Sequence, residues 1–119
     1  MNISATTFIG DKVRNLQGEN LGGIKEIMID TYSGAVSYAV VDFGGFLGIG
    51  NKLFAVPWNA LQIDTENKEV VLDMDKERLK SADGFDQDDW PNFADPEFES
   101  RVHQTYGTEP HGASRGRPS

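Results

Sequence analysis

A chain of 119 residues with 38% hydrophobic and 10% aromatic content can bury one modest core; it is neither disordered throughout nor large enough for several domains. The absence of cysteine excludes a disulfide framework and thiolate metal sites. Nineteen acidic against 11 basic side chains leave a net charge of -8 with the basic residues dispersed, which disfavours nucleic acid and anionic lipid as direct partners.

Residues 1–10 read as a lead-in anchored by Phe8 and Ile9. No basic region or signal core stands there, and no apolar run reaches the ~20 residues of a membrane span, so a cytoplasmic protein without membrane insertion is expected. Lys12 to Asn15 reads as a strand, followed by a turn that uses Gly18. Leu21 to Asp30 reads as a longer strand with Ile27 and Ile29 on one face. Ile24 breaks that alternation, which predicts a bulge near Lys25 and Glu26. Asp30-Thr31-Tyr32-Ser33-Gly34 is a turn signal, and with Ala35 to Phe43 it predicts a hairpin. In this second arm Val36, Tyr38 and Val40 share one face, and Ala39, Val41 and Phe43 the other.

Between residues 44 and 50 lies a glycine-rich connection carrying Phe46, Leu47 and Ile49. These either fold over the end of the sheet as a lid or present an apolar patch to a partner. Lys52 to Trp58 is a short strand that Pro57 should end, and Trp58 reads as a core plug. Leu61–Asp64 and Glu69–Asp73 flank a polar four-residue turn and form the clearest hairpin. Six strands joined by short loops predict antiparallel pairing in a small barrel or sandwich.

Beyond Asp75, a single helical turn over 76–80 is expected, capped by Asp75. Asp83 to Glu99 carries seven acidic residues and no Lys or Arg, interleaved with Phe85, Trp90, Phe93 and Phe98. Its rings predict docking on the sheet, because exposing them costs ~25 cal/mol per Å² of apolar surface. Asp95-Pro96-Glu97 starts a helix that runs to about Tyr106 and stops at Gly107. Residues 108–119 read as a disordered tail.

Motifs of chemistry are near misses. Gly45 to Lys52 has the outline of a phosphate loop, but Asn51 splits the Gly-Lys pair and a strand follows. Asp86, Asp88 and Asp89 form a weak calcium candidate, without the central glycine and distal Glu of a calcium loop. His103 reads as helix surface, and His111 lies in the tail. Asp73 and Asp75 read as solvated edge residues. No catalytic site and no cofactor are expected.

The succession Asp11-Lys12-Val13-Arg14-Asn15, Gly18-Glu19-x-Leu21-Gly22-x-Ile24, Ile29-Asp30, Ser33 to Val41 and Phe54-Ala55-Val56-Pro57-Trp58-x-Ala60-Leu61 resembles the PRC-barrel domain over about residues 5–80. That domain is shared by the photosynthetic reaction-centre H subunit and a ribosome-maturation factor. The downstream Asp-Gly-Phe-Asp-x-Asp-x-Trp-Pro segment resembles the extension of stand-alone bacterial members. The resemblance implies a mostly β fold, a small six-stranded barrel used as an interaction module, and no enzyme. The expected organisation is a barrel over 1–80, an acidic aromatic extension with a short C-terminal helix over 81–107, and the tail. The expected function is a non-enzymatic protein-interaction or self-associating module, with a protein partner or a second copy as in a homodimer. Phe46, Leu47, Ile49, Trp90 and Phe93 are its candidate patch. Two alternatives stand beside it: a small-ligand or cation-binding protein using Asp83 to Glu99, and a remote relative of the H subunit supporting a membrane electron-transfer complex.

Overall fold

The computed structural model describes residues 2–43, 52–80, 82, 84–86 and 88–108. A short helix, α1 (Ala5–Phe8), replaces the expected irregular lead-in and puts Phe8 in the core at 1% exposure. The strands are β1 (Lys12–Arg14), β2 (Asn20–Ile29), β3 (Val36–Asp42), β4 (Lys52–Pro57), β5 (Leu61–Asp64), β6 (Glu69–Leu72) and β7 (Phe85–Asp86). A 3-10 turn, Trp58–Ala60, joins β4 to β5. Two further helices follow, α2 (Lys76–Lys80) and α3 (Pro96–Tyr106).

The strands form one sheet in the order β5-β6-β1-β2-β3-β4-β7. This corrects the expected six-stranded barrel: the fold is mostly β, but among the described residues its sheet has seven strands and is not closed. The seventh strand comes from the acidic segment, which pairs Phe85 with Leu53 along β4. Uniformly antiparallel pairing is also overturned, because β1 runs parallel to β6, with Val13 opposite Val70. Short loops dictate antiparallel geometry only between consecutive strands. β1 and β6 are brought together by everything between them.

Local chemistry explains the turns. Asn15, fully buried, holds the β1–β2 turn: its Oδ1 accepts from the amides of Gln17 (3.1 Å) and Glu19 (2.9 Å), and its Nδ2 donates to Glu19 Oε1 at 2.8 Å. Gly22 has φ +126°, and a Cβ there would run into the Asp42 carbonyl oxygen and lie 2.7 Å from Phe43 Cα. The β2–β3 register skips at Lys25, between Ile24 and Glu26, as the broken alternation predicts. It skips again between Met28 and Ile29, where Ser37 is the extra residue on β3. That second bulge turns Ile29 away from Ile27 and leaves it 54% exposed, against the expectation that the two share a face.

β3 is apolar on both faces, and both are covered. Ala39, Val41 and Phe43 join Val13, Phe54 and Val70 in the main core, with Trp58 packed edge-on against Phe8 at 5.3 Å. Tyr38, on the opposite face, packs with Ala55 and Val102 under α3 and the acidic segment. Helices α2 and α3 are capped as the sequence predicts. Asp75 Oδ1 accepts from the Arg78 amide at 2.7 Å, and Asp95 Oδ1 from the Glu97 amide at 3.0 Å. α3 ends at Gly107 with φ +70°.

Candidate functional site

Beside the second bulge lies a groove of ≈ 340 Å³ between the end of the β2–β3 hairpin and the acidic segment. Met28, Ile29, Asp30 and Thr31 form one wall, Phe93, Ala94 and Glu99 the other, and Ser37 and Tyr38 also line it. Its volume falls in the ~300–1,000 Å³ of ordinary ligand pockets. The hairpin wall is held by Asp30, whose carboxylate accepts from the Tyr32 amide (2.9 Å) and the Ser33 hydroxyl (3.1 Å). The opposite wall is held by ring packing: Phe93 lies 5.6 Å from Tyr38, 5.3 Å from Phe98 and 6.0 Å from Phe85.

Tyr38 is 2% exposed, and among the described residues its hydroxyl has no hydrogen-bond partner. A buried hydroxyl left this way costs about 1–3 kcal/mol. Burial pushes its ionisation well above the usual tyrosine range, and the Glu99 carboxylate adds to the shift. Glu99 is therefore close enough to act on the hydroxyl electrostatically, yet no hydrogen bond joins them. His103 is buried at 4% exposure, its ring 5.8 Å from that of Tyr38 and its Nδ1 2.7 Å from Thr108 Oγ1. Its expected place on the helix surface is thus corrected: the face that carries Phe98, Val102 and Tyr106 is wide enough to take the imidazole in as well.

Of the expected patch, Phe46, Leu47 and Ile49 lie outside the described residues. Trp90 and Phe93 are brought together at 6.1 Å, with Trp90 37% exposed and in edge contact with Phe85 at 5.2 Å. Docking of the acidic segment through its rings is as expected. Asp86 faces Lys52, Oδ1 to Nζ at 3.6 Å, while Asp88 and Asp89 point to solvent. Among the described residues no group of three or more His, Asp or Glu side chains is placed to hold a metal ion. Sequence reasoning missed Tyr38, Glu99 and Asp30 as neighbours. The available signal was the apolar second face of β3, which had to be covered by something.

The PRC-barrel domain model matches residues 1–79. The chain belongs to the PRC-barrel family. A solved structure of the Pseudomonas aeruginosa protein described as a 16S ribosomal RNA processing protein, RimM, is similar to this PRC-barrel chain at 18% identity and a TM-score of 0.47. The match covers 63% of the chain and 45% of that protein, so the chain spans less than half its length. Comparison with curated proteins returned no match. The groove uses both the matched PRC-barrel region and residues beyond it, because Phe93, Ala94 and Glu99 follow residue 79. Among the described residues no helix is long and apolar enough to cross a membrane.

Proposed function

We propose that this PRC-barrel protein is a non-catalytic interaction module that takes a segment of a partner protein in the groove between its β2–β3 hairpin and its acidic extension. The observation that carries this reading is the groove beside the second bulge, with half-exposed Ile29 at one rim and Phe93, backed by Trp90, at the other. Exposed apolar side chains beside a concave, partly polar surface are the usual signature of a contact site. Tyr32, 98% exposed at the hairpin tip, extends the apolar rim. The placement of His103 supports a non-catalytic role, since its imidazole is packed against Tyr38 and tied to Thr108.

The test is affinity capture from lysate of the source organism, with the wild-type chain beside Ile29→Asp, Trp90→Asp and Phe46→Asp. The first two positions are exposed, so the fold should survive. A partner retained by the wild type and lost by Ile29→Asp and Trp90→Asp is the expected result. Equal capture by both variants overturns the groove reading, and loss by Phe46→Asp alone moves the interface to the glycine-rich connection. Sedimentation of the same proteins distinguishes a second copy from a different partner.

A further inference from the structure

We infer that the groove receives the side chain of a lysine or arginine carried by the partner segment; the inference rests on the interaction reading above and adds the chemistry of what is bound. Among the described residues, the charged side chains that line the groove are Asp30 and Glu99, both acidic, with no Lys, Arg or His beside them. Among the described residues the Glu99 carboxylate accepts no side-chain hydrogen bond and forms no ion pair, and its charge acts on Tyr38, which lines the same groove. The Asp30 carboxylate accepts from the Tyr32 amide and the Ser33 hydroxyl, which fixes it at the hairpin wall of the groove.

The apolar parts fit the same occupant. Met28, Ile29, Phe93 and Ala94 give walls against which a long methylene stem can lie, as lysine and arginine stems do. The half-buried ring of Phe93 adds attraction for a cation at close range. The decisive point is the pair formed by Tyr38 and Glu99. A buried hydroxyl without a partner and a carboxylate near it, unbonded to it, call for a group with several N–H donors and no acceptor. Ammonium and guanidinium are the side-chain groups of that kind. A carboxylate or phosphate would meet repulsion from both walls, and an aliphatic side chain would leave the Tyr38 hydroxyl unsatisfied.

The experiment uses the isotope-labelled 119-residue chain and two capped pentapeptides, Ala-Leu-Arg-Leu-Ala and Ala-Leu-Gln-Leu-Ala, followed by amide chemical shifts. The arginine peptide should give saturable shifts centred on Ser37, Tyr38, Phe93 and Glu99, with the glutamine peptide weaker by about tenfold, the worth of one charge-assisted hydrogen bond. Glu99→Gln should weaken the arginine peptide about tenfold and leave the glutamine peptide unchanged. Tyr38→Phe, which keeps the ring and removes the hydroxyl, should weaken the arginine peptide while folding normally. Equal binding of the two peptides, or indifference of the arginine peptide to Glu99→Gln, overturns the cation and leaves the interaction module standing. Absence of any shift with either peptide also overturns the cation, and capture with Ile29→Asp then judges the module separately. If replacing Arg115 and Arg117 with Gln in the chain itself shifts the groove amides as peptide release would, the occupant is the chain's own tail and the partner segment is excluded.

Discussion

The Tyr38 ring on β3 lies 5.6 Å from the Phe93 ring, and this contact fastens the acidic segment to the sheet. Phe93 also meets Phe85, Trp90 and Phe98, so it is the hub of the aromatic layer. Phe93→Ala should cost about 1–3 kcal/mol, less than a fully buried Phe because the side chain is only half-buried. Urea unfolding measures the loss. The emission of Trp90, read in a Trp58→Phe background, should shift to the red as its ring gains water.

Gly22→Ala should destabilise the protein by about 3 kcal/mol or more, since a positive φ and a backbone collision act together. The collision is with Asp42 and Phe43 on the neighbouring strand, and neither backbone can retreat without breaking the β2–β3 pairing. Thermal unfolding checks this. Gly18→Ala, at φ +83° with open space around it, should cost visibly less.

Helix α3 should respond to both of its ends. Asp95→Ala removes the acceptor for the Glu97 amide and should cost about 1 kcal/mol. Gly107→Ala forces a side chain into the left-handed region at φ +70° and should cost about 1 kcal/mol. Hydrogen exchange at residues 102–106 reads both effects directly.

The pH response has an alkaline and an acid side. Burial raises the ionisation of Tyr106 in the folded protein, and burial followed by the Glu99 charge raises that of Tyr38. Above the ordinary tyrosine value of 10.0 the unfolded chain releases protons that the folded chain keeps. Stability is therefore complete below that pH and falls as pH rises beyond it. Tyr38→Phe should flatten part of the fall. In the β5–β6 turn, hydrogen bonds from the Asn67 side chain and amide hold the Asp64 carboxyl below its usual 3.8. That contribution is present above the usual value and disappears as pH drops through the lowered one. Asn67→Ala should weaken the hairpin at neutral pH, and the difference should shrink as pH falls below the usual carboxylate value, by denaturant titration across that range.

What was legible in the sequence was local. The β2–β3 and β5–β6 hairpins, the bulge at Lys25 and the caps of α3 are each written in residues close together in the chain. The bulge at Ser37 was not, because Ile29 fits a regular alternation as well as a broken one. The parallel β1–β6 pairing and the seventh strand depend on segments that meet only in the folded chain. The groove followed the same rule: Asp30 announces a turn and Asp95-Pro96 a helix start, but nothing local says that the turn and Glu99 face each other. The second apolar face of β3 did say that a covering layer exists, and His103 belongs to that layer.

Arg14 donates to Glu69 at 2.9 Å across 55 positions of sequence. One flank of β1 therefore stays unsealed until nearly the whole sheet has left the ribosome. A product that stops short of residue 69 keeps Val13 without Val70 and offers an unpaired strand edge to its neighbours. A chain ending before β6 leaves that edge open, whereas one ending after α2 holds every buried residue of the main core and lacks the groove's second wall. The strand edge that β1 offers is therefore covered only once β6 is present, and the core beneath it is complete only with α2.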